Sequence, residues 1–320
     1  MEQSKKPIEA HIESFFEYLD LERGLSYKSQ ETYGRLLGQF TRWLEKNKLQ
    51  SLKPHEFTND HLWQYRVFLS KHISKTSHQP LKRSSRNYYL IVLRNLLKYF
   101  ADRDIVSLPA DKVKLEKSKS DQRAVKFLQI DQIEKLLASP KMATINGLRD
   151  RAILETFFST GLRVAELVSL NREQLKIANL TDEIEVVVIG KGNRPRPVYF
   201  SSRALEWLGK YLATRKDDDK ALFVNYKGPR HASRRLTPRS VENLVKKHAL
   251  AAGIPTFTSP HTIRHSFATD LLAQGVDLRE VQEFLGHKNI ATTQIYAHVT
   301  SKRLREIHKK YHSGNKLDSE

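Results

Sequence analysis

Cysteine is absent from the 320 residues of this sequence, so a disulfide framework, a thiol nucleophile and a cysteine-ligated metal are all excluded. Long hydrophobic runs are absent as well, and none is long enough to span a bilayer. The N-terminal stretch MEQSKKPIEAHIESFF lacks the apolar core of a secretory signal. These absences lead us to expect a cytoplasmic protein that does not attach to membranes.

Acidic residues are few relative to basic ones. The 55 lysines and arginines outnumber the 36 aspartates and glutamates and give a net charge of +19. A chain this basic is typical of proteins with a polyanionic partner, DNA first among them. A basic surface that serves solubility is the alternative.

The N-terminal part contains four amphipathic stretches whose apolar residues recur at helical spacing. We expect Ser26 or Ser29 to cap the second helix and Thr58 or Asn59 to cap the third. The pattern predicts a small helical bundle over residues 1–107. The four stretches are PIEAHIESFFEYLDLER, SYKSQETYGRLLGQFTRWLEKN, TNDHLWQYRVFLSKHI and SSRNYYLIVLRNLLKYFADRD.

A basic, proline-marked linker over residues 108–124 precedes a mixed second part, residues 125–320. Here the run EIEVVVIGKGNRPRPVYF predicts two strands around a Gly-Lys-Gly-Asn turn. The predicted fold class is therefore mainly α with a small β-hairpin, α+β. Helices are predicted at 129–138, 146–159, 163–169, 202–213, 238–251, 261–274, 277–285 and about 301–312.

The motif TGLRVAEL places Arg163 just after the helix-breaking Gly161. Glu166 follows three residues later, on the same helical face as Arg163. Taken alone, this spacing favours an exposed ion pair.

The turn VIGKGNRPRPV places Lys191 at the predicted hairpin tip, between Gly190 and Gly192. A lysine at such a tip is ordinarily a solvated surface residue. Two strands can also carry it into the minor groove of DNA, beside a phosphate.

The stretch SPHTIRHSFATDLLAQG places His261, Arg264 and His265 on one face of a helix that begins after Pro260. Such a face at a helix N-terminus suits an anion, and a polar surface face is the alternative. Two histidines four residues apart also resemble half of a zinc site. The HExxH pattern, however, requires Glu where Thr262 stands, so we expect no metal and no other cofactor.

The segment TTQIYAHVT contains Tyr296, which taken alone is most simply a half-buried structural aromatic. A tyrosine can also be a covalent nucleophile. When a phenol attacks a phosphodiester, the pentavalent transition state concentrates negative charge on two non-bridging oxygens. The planar guanidiniums of Arg163 and Arg264 suit these oxygens, at roughly 3 kcal/mol per well-placed donor.

Proton transfers complete the requirements of such an attack. The phenol, with a reference pKa of about 10, must lose its proton, and His261 is a candidate base. Lys191 can deliver a proton to the leaving 5′-oxygen. His287, in the segment FLGH, can donate to the phosphate. Protein groups alone satisfy this chemistry.

In chain order, local context and spacing, these residues resemble the signature of the tyrosine recombinases, and within them the Xer-type site-specific recombinases of prokaryotes. The resemblance covers nearly the whole chain and is strongest over residues 125–310. It implies that Glu166 supports the first arginine, and we place His265 as a second supporting residue. The signature of Arg, Lys, His-x-x-Arg, His and Tyr corresponds to Arg163, Lys191, His261, Arg264, His287 and Tyr296.

The resemblance implies that a core-binding domain and a catalytic domain form a clamp around double-stranded DNA. Tyr296 would attack a scissile phosphate and give a 3′-phosphotyrosyl link and a free 5′-hydroxyl. Strand exchange would then pass through a Holliday junction without metal or ATP. The expected role is resolution of chromosome or plasmid dimers, linked to chromosome partition and cell division.

The resemblance also implies partners. The protein would act on two recombination sites as a homo-tetramer, or as a hetero-tetramer with a second recombinase. Some members of the family depend on an FtsK-type DNA translocase. The helix at about 301–312, with Leu304 and Ile307 on one face, would dock on a neighbouring protomer or pack on its own domain.

Two basic stretches, LSKHISKTSHQPLKRSS and YKGPRHASRRLTPRS, are further candidates for DNA contact. Phosphate contacts of this kind give salt-dependent affinity that is largely blind to sequence. The alternative is that some of these residues are solvated loop charges. The candidates are Lys82, Arg83, Arg86, Arg230, Arg234, Arg235 and Arg239.

Three alternatives stay open from the sequence. An integrase of a phage or mobile element would use the same chemistry and would add an arm-binding domain before the bundle. A type IB topoisomerase would relax supercoils as a monomer. A catalytically inactive architectural DNA-binding protein would be expected to lose at least one position of the signature.

Overall fold

The computed structural model describes residues 2–74, 78–116, 125–175, 184–190, 194–227, 233–287, 289 and 292–296. The chain divides into two compact units, Met1–Gln122 and Arg123–Glu320. Each unit has its own hydrophobic core. Within the described ranges, every helix is too short or too polar to cross a membrane.

The first unit is the helical bundle that the amphipathic stretches predict. Thr58 caps its third helix by accepting a hydrogen bond from the backbone N–H of His61, and Ser26 is the N-cap residue of the second. The first α-helix is shorter than its stretch because a 3₁₀ turn occupies Ile8–His11. The helices are α1 (Ile12–Leu21), α2 (Tyr27–Lys46), α3 (Asn59–Lys71) and α4 (Arg83–Asp102).

Aromatic residues fill the centre of this unit. Phe40, Trp43 and Tyr65 are almost fully buried. The rings of Phe40 and Tyr65 meet edge to face, with centroids 5.1 Å apart. Such pairs add about 0.5–1.5 kcal/mol beyond the burial of their area.

The second unit is mainly helical and contains one antiparallel hairpin, and the seven helices predicted between residues 129 and 285 are confirmed. The predicted helix at 301–312 and the turn residues 191–193 lie outside the described residues. The helices are α5 (Ile130–Ala138), α6 (Ile145–Thr160), α7 (Val164–Ser169), α8 (Ser202–Ala213), α9 (Pro238–Ala251), α10 (Pro260–Gln274) and α11 (Leu278–Leu285), and the strands are β1 (Ile184–Gly190) and β2 (Arg194–Phe200).

The hairpin has one buried face and one exposed face. Its register pairs Val186 with Val198 and Val188 with Arg196. Because side chains alternate along a strand, Arg196 faces the core together with Val198 and Phe200. Arg196 is 9% exposed, so a guanidinium lies where the pattern would place an apolar side chain.

Helix α6 is buried on nearly all sides, and its charged residues must therefore be paired. Arg149 donates to Asp150 at 2.6 Å, and His248 of α9 contacts the other oxygen of that carboxylate at 3.0 Å. The helix ends at Gly161, whose φ of +59° is the left-handed conformation that favours glycine at a helix C-terminus.

We expect Gly161→Ala to destabilise the protein more than Gly253→Ala. Both glycines have positive φ, which costs a residue with a Cβ about 1–2 kcal/mol. A Cβ at Gly161 would lie 2.5 Å from Cδ1 of Phe267, whereas nothing lies within 4 Å at Gly253. The clash should add about 1–3 kcal/mol, measurable by denaturant unfolding. Equal losses in the two variants would contradict the steric account.

Candidate active site

The first arginine of the site caps a short helix. Arg163 is the N-cap residue of α7, and its backbone N–H donates to Oε2 of Glu166 at 2.9 Å. Its Nη1 donates to Oε1 of the same carboxylate at 2.7 Å. Glu166 is only 4% exposed, so the simple reading of an exposed ion pair is wrong.

Arg196 is a second partner of Glu166, and the sequence reasoning missed it. Its Nη2 donates to Oε2 of Glu166 at 2.7 Å, and its Nη1 donates to the carbonyl of Phe284 at 2.7 Å. Burial alone would raise the pKa of Glu166. The hydrogen bond from the Arg163 N–H and the charge of Arg196 outweigh burial and hold that pKa below its usual range.

The second predicted arginine, Arg264 on α10, is 4% exposed, so the alternative of a polar surface face is wrong. Its Nη1 donates to the carbonyl of Gly161 at 2.6 Å, and its Nη2 donates to the carbonyl of Leu285. Two helix C-termini therefore anchor this guanidinium. Burial, with repulsion from Arg163, lowers the pKa of Arg264 to about 9, which leaves it charged at neutral pH.

His287 follows α11 and connects Arg264 to the tyrosine segment. Its Nε2 lies 3.1 Å from Nη2 of Arg264, and its Nδ1 lies 2.9 Å from Oγ1 of Thr293. Because arginine can only donate, Nε2 accepts and Nδ1–H donates to the threonine. Burial and then Arg264 lower the pKa of His287 to about 4, so the ring is neutral at neutral pH.

Tyr296 ends a 3₁₀ turn, Gln294–Tyr296, and its side chain is fully buried rather than half-buried. Its hydroxyl lies 2.5 Å from Nδ1 of His265, and the two rings meet edge to face at 5.5 Å. Burial raises the pKa of Tyr296 to about 12, and Arg264 opposes this shift. Burial and the charges of His261 and Arg264 lower the pKa of His265 to about 4.

The remaining signature residues are placed differently. His261 lies at the exposed start of α10, one turn before His265. Lys191 lies outside the described residues. No three His, Asp or Glu side chains of the described part of the chain are grouped so as to hold a metal ion.

We use the name arginine cluster for Arg163, Arg196 and Arg264, because repulsion from the other arginines contributes to the lowered pKa values of Arg196 and Arg264. Glu166 is the carboxylate that pairs with two of them. Three guanidiniums against one carboxylate leave an excess of positive charge, and Arg264 is close enough to Tyr296 to influence its pKa. A site of this charge balance favours an anion with several oxygens, and phosphate fits the planar fork of arginine.

Two of the predicted DNA-contacting arginines are used within the fold instead. Arg86 donates to both carboxylate oxygens of Glu116, at 2.7 and 2.6 Å. Arg235 donates to the carbonyls of Val168 at 2.6 Å and Leu170 at 3.0 Å. Because internal acceptors already engage these guanidiniums, we correct both residues from DNA contacts to structural residues.

The other basic candidates are more accessible. Lys82, Arg83 and Arg239 are exposed, and Arg239 contributes only a 3.3 Å surface pair with Glu242. Arg234 is half-buried. Arg230 lies outside the described residues.

Comparison with protein families matches both parts of the chain. Residues 126–303 match the phage integrase family, and residues 12–104 match the phage integrase N-terminal SAM-like domain. The chain is 37% identical over 312 residues to the tyrosine recombinase XerD of Lacticaseibacillus casei, covering 94% of this chain and 98% of that protein. It is also 37% identical over 306 residues to the tyrosine recombinase XerC of Vibrio cholerae serotype O1, covering 94% and 92%.

Solved structures show the same fold. XerH recombinase bound to palindromic difH substrate matches with a TM-score of 0.74 and 22% identity, over 95% of this chain and 97% of that chain. A lambda integrase dimer bound to a COC′ core site matches with a TM-score of 0.65 and 15% identity, over 91% and 77%. The predicted fold class, a helical N-terminal domain and an α+β catalytic domain, is confirmed.

We expect Glu166→Gln to destabilise the protein by about 3–5 kcal/mol, because it leaves the buried Arg196 without its counter-ion. The folded-state pKa of Glu166 is lowered, so its stabilisation is present above the unfolded value of 4.5 and is lost as pH falls through the folded value. The stability gap between wild type and variant should therefore narrow below pH 4.5. Denaturant unfolding at a series of pH values measures this difference in the free energy of unfolding.

Glu242→Gln is the matched control, because Glu242 pairs with Arg239 at the surface. It should change stability little at any pH. Equal effects of the two substitutions would contradict the assignment of Glu166 as the buried counter-ion.

We expect stability to fall as pH is lowered from 6.5 to 4, because both His265 and His287 have pKa values lowered from 6.5 to about 4. In that window the unfolded chain binds protons that the folded site excludes. His265→Asn keeps an acceptor for the phenol but cannot take up a proton. Its thermal midpoint should depend less on pH than that of wild type, and an unchanged pH dependence would contradict these shifts.

Proposed function

Because this chain belongs to the phage integrase family and is a DNA-breaking and rejoining tyrosine recombinase, we propose that Tyr296 is its nucleophile. The observation that carries the proposal is the juxtaposition of a buried phenol with excess positive charge. The Tyr296 hydroxyl contacts His265, and Arg264 is close enough to oppose the rise in its pKa. An arginine suited to bind the anion therefore lies close to the phenol that would attack it.

The reaction begins with a scissile phosphate in the arginine cluster. Arg163 and Arg264 bind its two non-bridging oxygens, and Glu166 keeps Arg163 oriented. His287 becomes a third donor when the bound anion raises its pKa, so that its Nε2 takes up a proton and exchanges its contact with Arg264 for one with the phosphate. Such preorganised donors act on charge that develops in the transition state.

The strand is then cut by direct transfer of the phosphate to Tyr296. The Tyr296 oxygen attacks phosphorus, the bond from phosphorus to the 5′-oxygen breaks, and Lys191 protonates the leaving oxygen. The product is a 3′-phosphotyrosyl link and a free 5′-hydroxyl. The link retains the energy of the phosphodiester, so rejoining needs neither ATP nor metal, and exchange between two duplexes passes through a Holliday junction.

The partner is a double-stranded DNA recombination site. Residues 1–107 serve as the core-binding domain, residues 108–124 as the linker and residues 125–320 as the catalytic domain. The exposed Lys82, Arg83 and Arg239, with Arg230 and Arg234, supply phosphate contacts. Assembly is a tetramer, of one chain or with a second recombinase, in which the helix at about 301–312 docks on a neighbour.

The biological role is resolution of chromosome or plasmid dimers in the cytoplasm. The relatives that carry this proposal are named XerD and XerC and align over 94% of this chain. Residues 126–303 match the phage integrase family, which also contains integrases. Recombination sites found on a mobile element would therefore contradict the role in dimer resolution.

We expect Tyr296→Phe to abolish covalent attachment to DNA while binding is retained, because only the nucleophilic oxygen is lost. The protein is incubated in EDTA with nicked suicide duplexes from its own genome, taken near its gene and near the replication terminus. A nick beside the scissile phosphate lets the short fragment diffuse away and traps the adduct. The readout is a protein–DNA band that survives SDS.

Tyr199→Phe is the control, since that ring packs edge to face on Phe284 and is 42% exposed. It should form adduct like wild type. An SDS-resistant band with Tyr296→Phe would show that another residue is the nucleophile.

A further inference from the structure

We propose that His265 is the catalytic base that removes the proton from Tyr296, a role that sequence reasoning gave to His261. The inference rests on the proposed function of Tyr296 as the nucleophile. It assigns the proton transfer to a particular atom, Nδ1 of His265, and changes this residue from a support of the site to a participant in the reaction.

The geometry at the hydroxyl carries the assignment. The Tyr296 oxygen lies 2.5 Å from Nδ1 of His265, which is within the range required of a base and the proton that it abstracts. Tyr296 is fully buried, so bulk water does not reach the phenol. Within the described ranges, His265 is the side chain that contacts this hydroxyl at hydrogen-bonding distance.

The protonation state of the pair follows from its surroundings. Both groups are neutral at neutral pH, and the assignment takes His265 in its Nε2–H tautomer, in which Tyr296 O–H is the donor and the Nδ1 lone pair is the acceptor. The proton therefore already points at its acceptor. In contrast, His261 lies at the exposed start of α10, one helical turn away, and is available to contact the phosphate or its leaving group.

The charges around His265 explain how the step is held back until DNA binds. His261 and Arg264 lie on its own helix, and His287 faces it from the end of α11. The positive charge of Arg264 opposes protonation of His265 in the free protein. A phosphate bound by Arg163 and Arg264 supplies the opposite charge, so the imidazole becomes a better base when the substrate is in place.

The step balances without another reactant. The O–H bond of Tyr296 breaks, an N–H bond forms at Nδ1 of His265, and the phenolate oxygen bonds to phosphorus as the 5′-oxygen departs with a proton from Lys191. In rejoining, a 5′-hydroxyl gives its proton to the neutral Lys191 and attacks the same phosphorus, and the phenolate leaves. The imidazolium then returns its proton to Tyr296, and the pair regains its starting state.

The test is single-turnover cleavage of a nicked suicide duplex by the full chain across pH. His265→Asn should slow adduct formation by about 10²–10⁴-fold, because asparagine can accept the hydrogen bond but not the proton. The acidic limb of the wild-type pH–rate profile should disappear in this variant. Binding of the duplex, followed separately, should be unaffected.

A more acidic nucleophile distinguishes a base from a structural support. Tyr296 is replaced by a fluorinated tyrosine through site-specific incorporation, in wild type and in the variants His265→Asn and His261→Asn. A phenol that ionises more readily depends less on a base, so it should restore much of the rate lost in His265→Asn. It should not restore the cleavage rate lost in His261→Asn, because His261 acts on the phosphate or its leaving group and not on the phenol.

The outcomes separate this inference from the function on which it rests. Wild-type cleavage by His265→Asn, or fluorotyrosine rescue of His261→Asn alone, would refute His265 as the base while leaving Tyr296 as the nucleophile. A slow His265→Asn that the acidic phenol fails to rescue would also refute it and leave a structural role. Adduct formation by Tyr296→Phe would overturn the nucleophile itself.

Discussion

A single buried carboxylate fixes the geometry on which the candidate site depends. Glu166 holds Arg163 at the start of α7 and Arg196 in the middle of β2, and each guanidinium is 2.7 Å from its oxygen. Arg196 in turn donates to the carbonyl of Phe284 near the end of α11. A helix start, a strand and a helix end are thereby joined through one acidic side chain. An unpaired charge at Arg196, which is 9% exposed, would be costly at this depth.

Helix C-termini supply the rest of the support. Arg264 donates to Gly161 at the end of α6 and to Leu285 at the end of α11. These ends carry partial negative charge and unsatisfied carbonyls, which suit a buried cation. The left-handed glycines that stop α6 and α11 leave these carbonyls available. The cationic character of the site is therefore built from backbone as well as from side chains.

The sequence predicts the helices and the hairpin well because apolar periodicity is a local signal. Several predicted site residues are also in contact, since Arg163 pairs with Glu166, Arg264 with His287, and Tyr296 with His265. The sequence does not predict Arg196 as a member of the site, although an arginine at an inward-facing strand position requires a buried counter-ion, and that signal was available. The partner of Arg196 lies thirty residues away in the chain, so only the fold identifies it.

Sequence reasoning fails in a different way for the tyrosine and the basic loops. Spacing in the sequence does not show whether His261 or His265 contacts Tyr296. The contact depends on how the 3₁₀ turn that ends at Tyr296 packs against α10. Arg86 and Arg235 look like any other arginine of a basic stretch until their internal acceptors are known. Long-range packing, and not residue type, separates a structural guanidinium from one that is available to a ligand.

The excess of positive charge in the arginine cluster has a thermodynamic consequence for the protein away from DNA. The free fold bears mutual repulsion that an oxyanion relieves, so anion binding and folding are linked equilibria. A ligand that binds only the folded state raises the free energy of unfolding by RT ln(1 + [L]/Kd). The folded population of the enzyme therefore depends on occupancy, and the molecules bound to their sites are the ones best protected from unfolding and proteolysis.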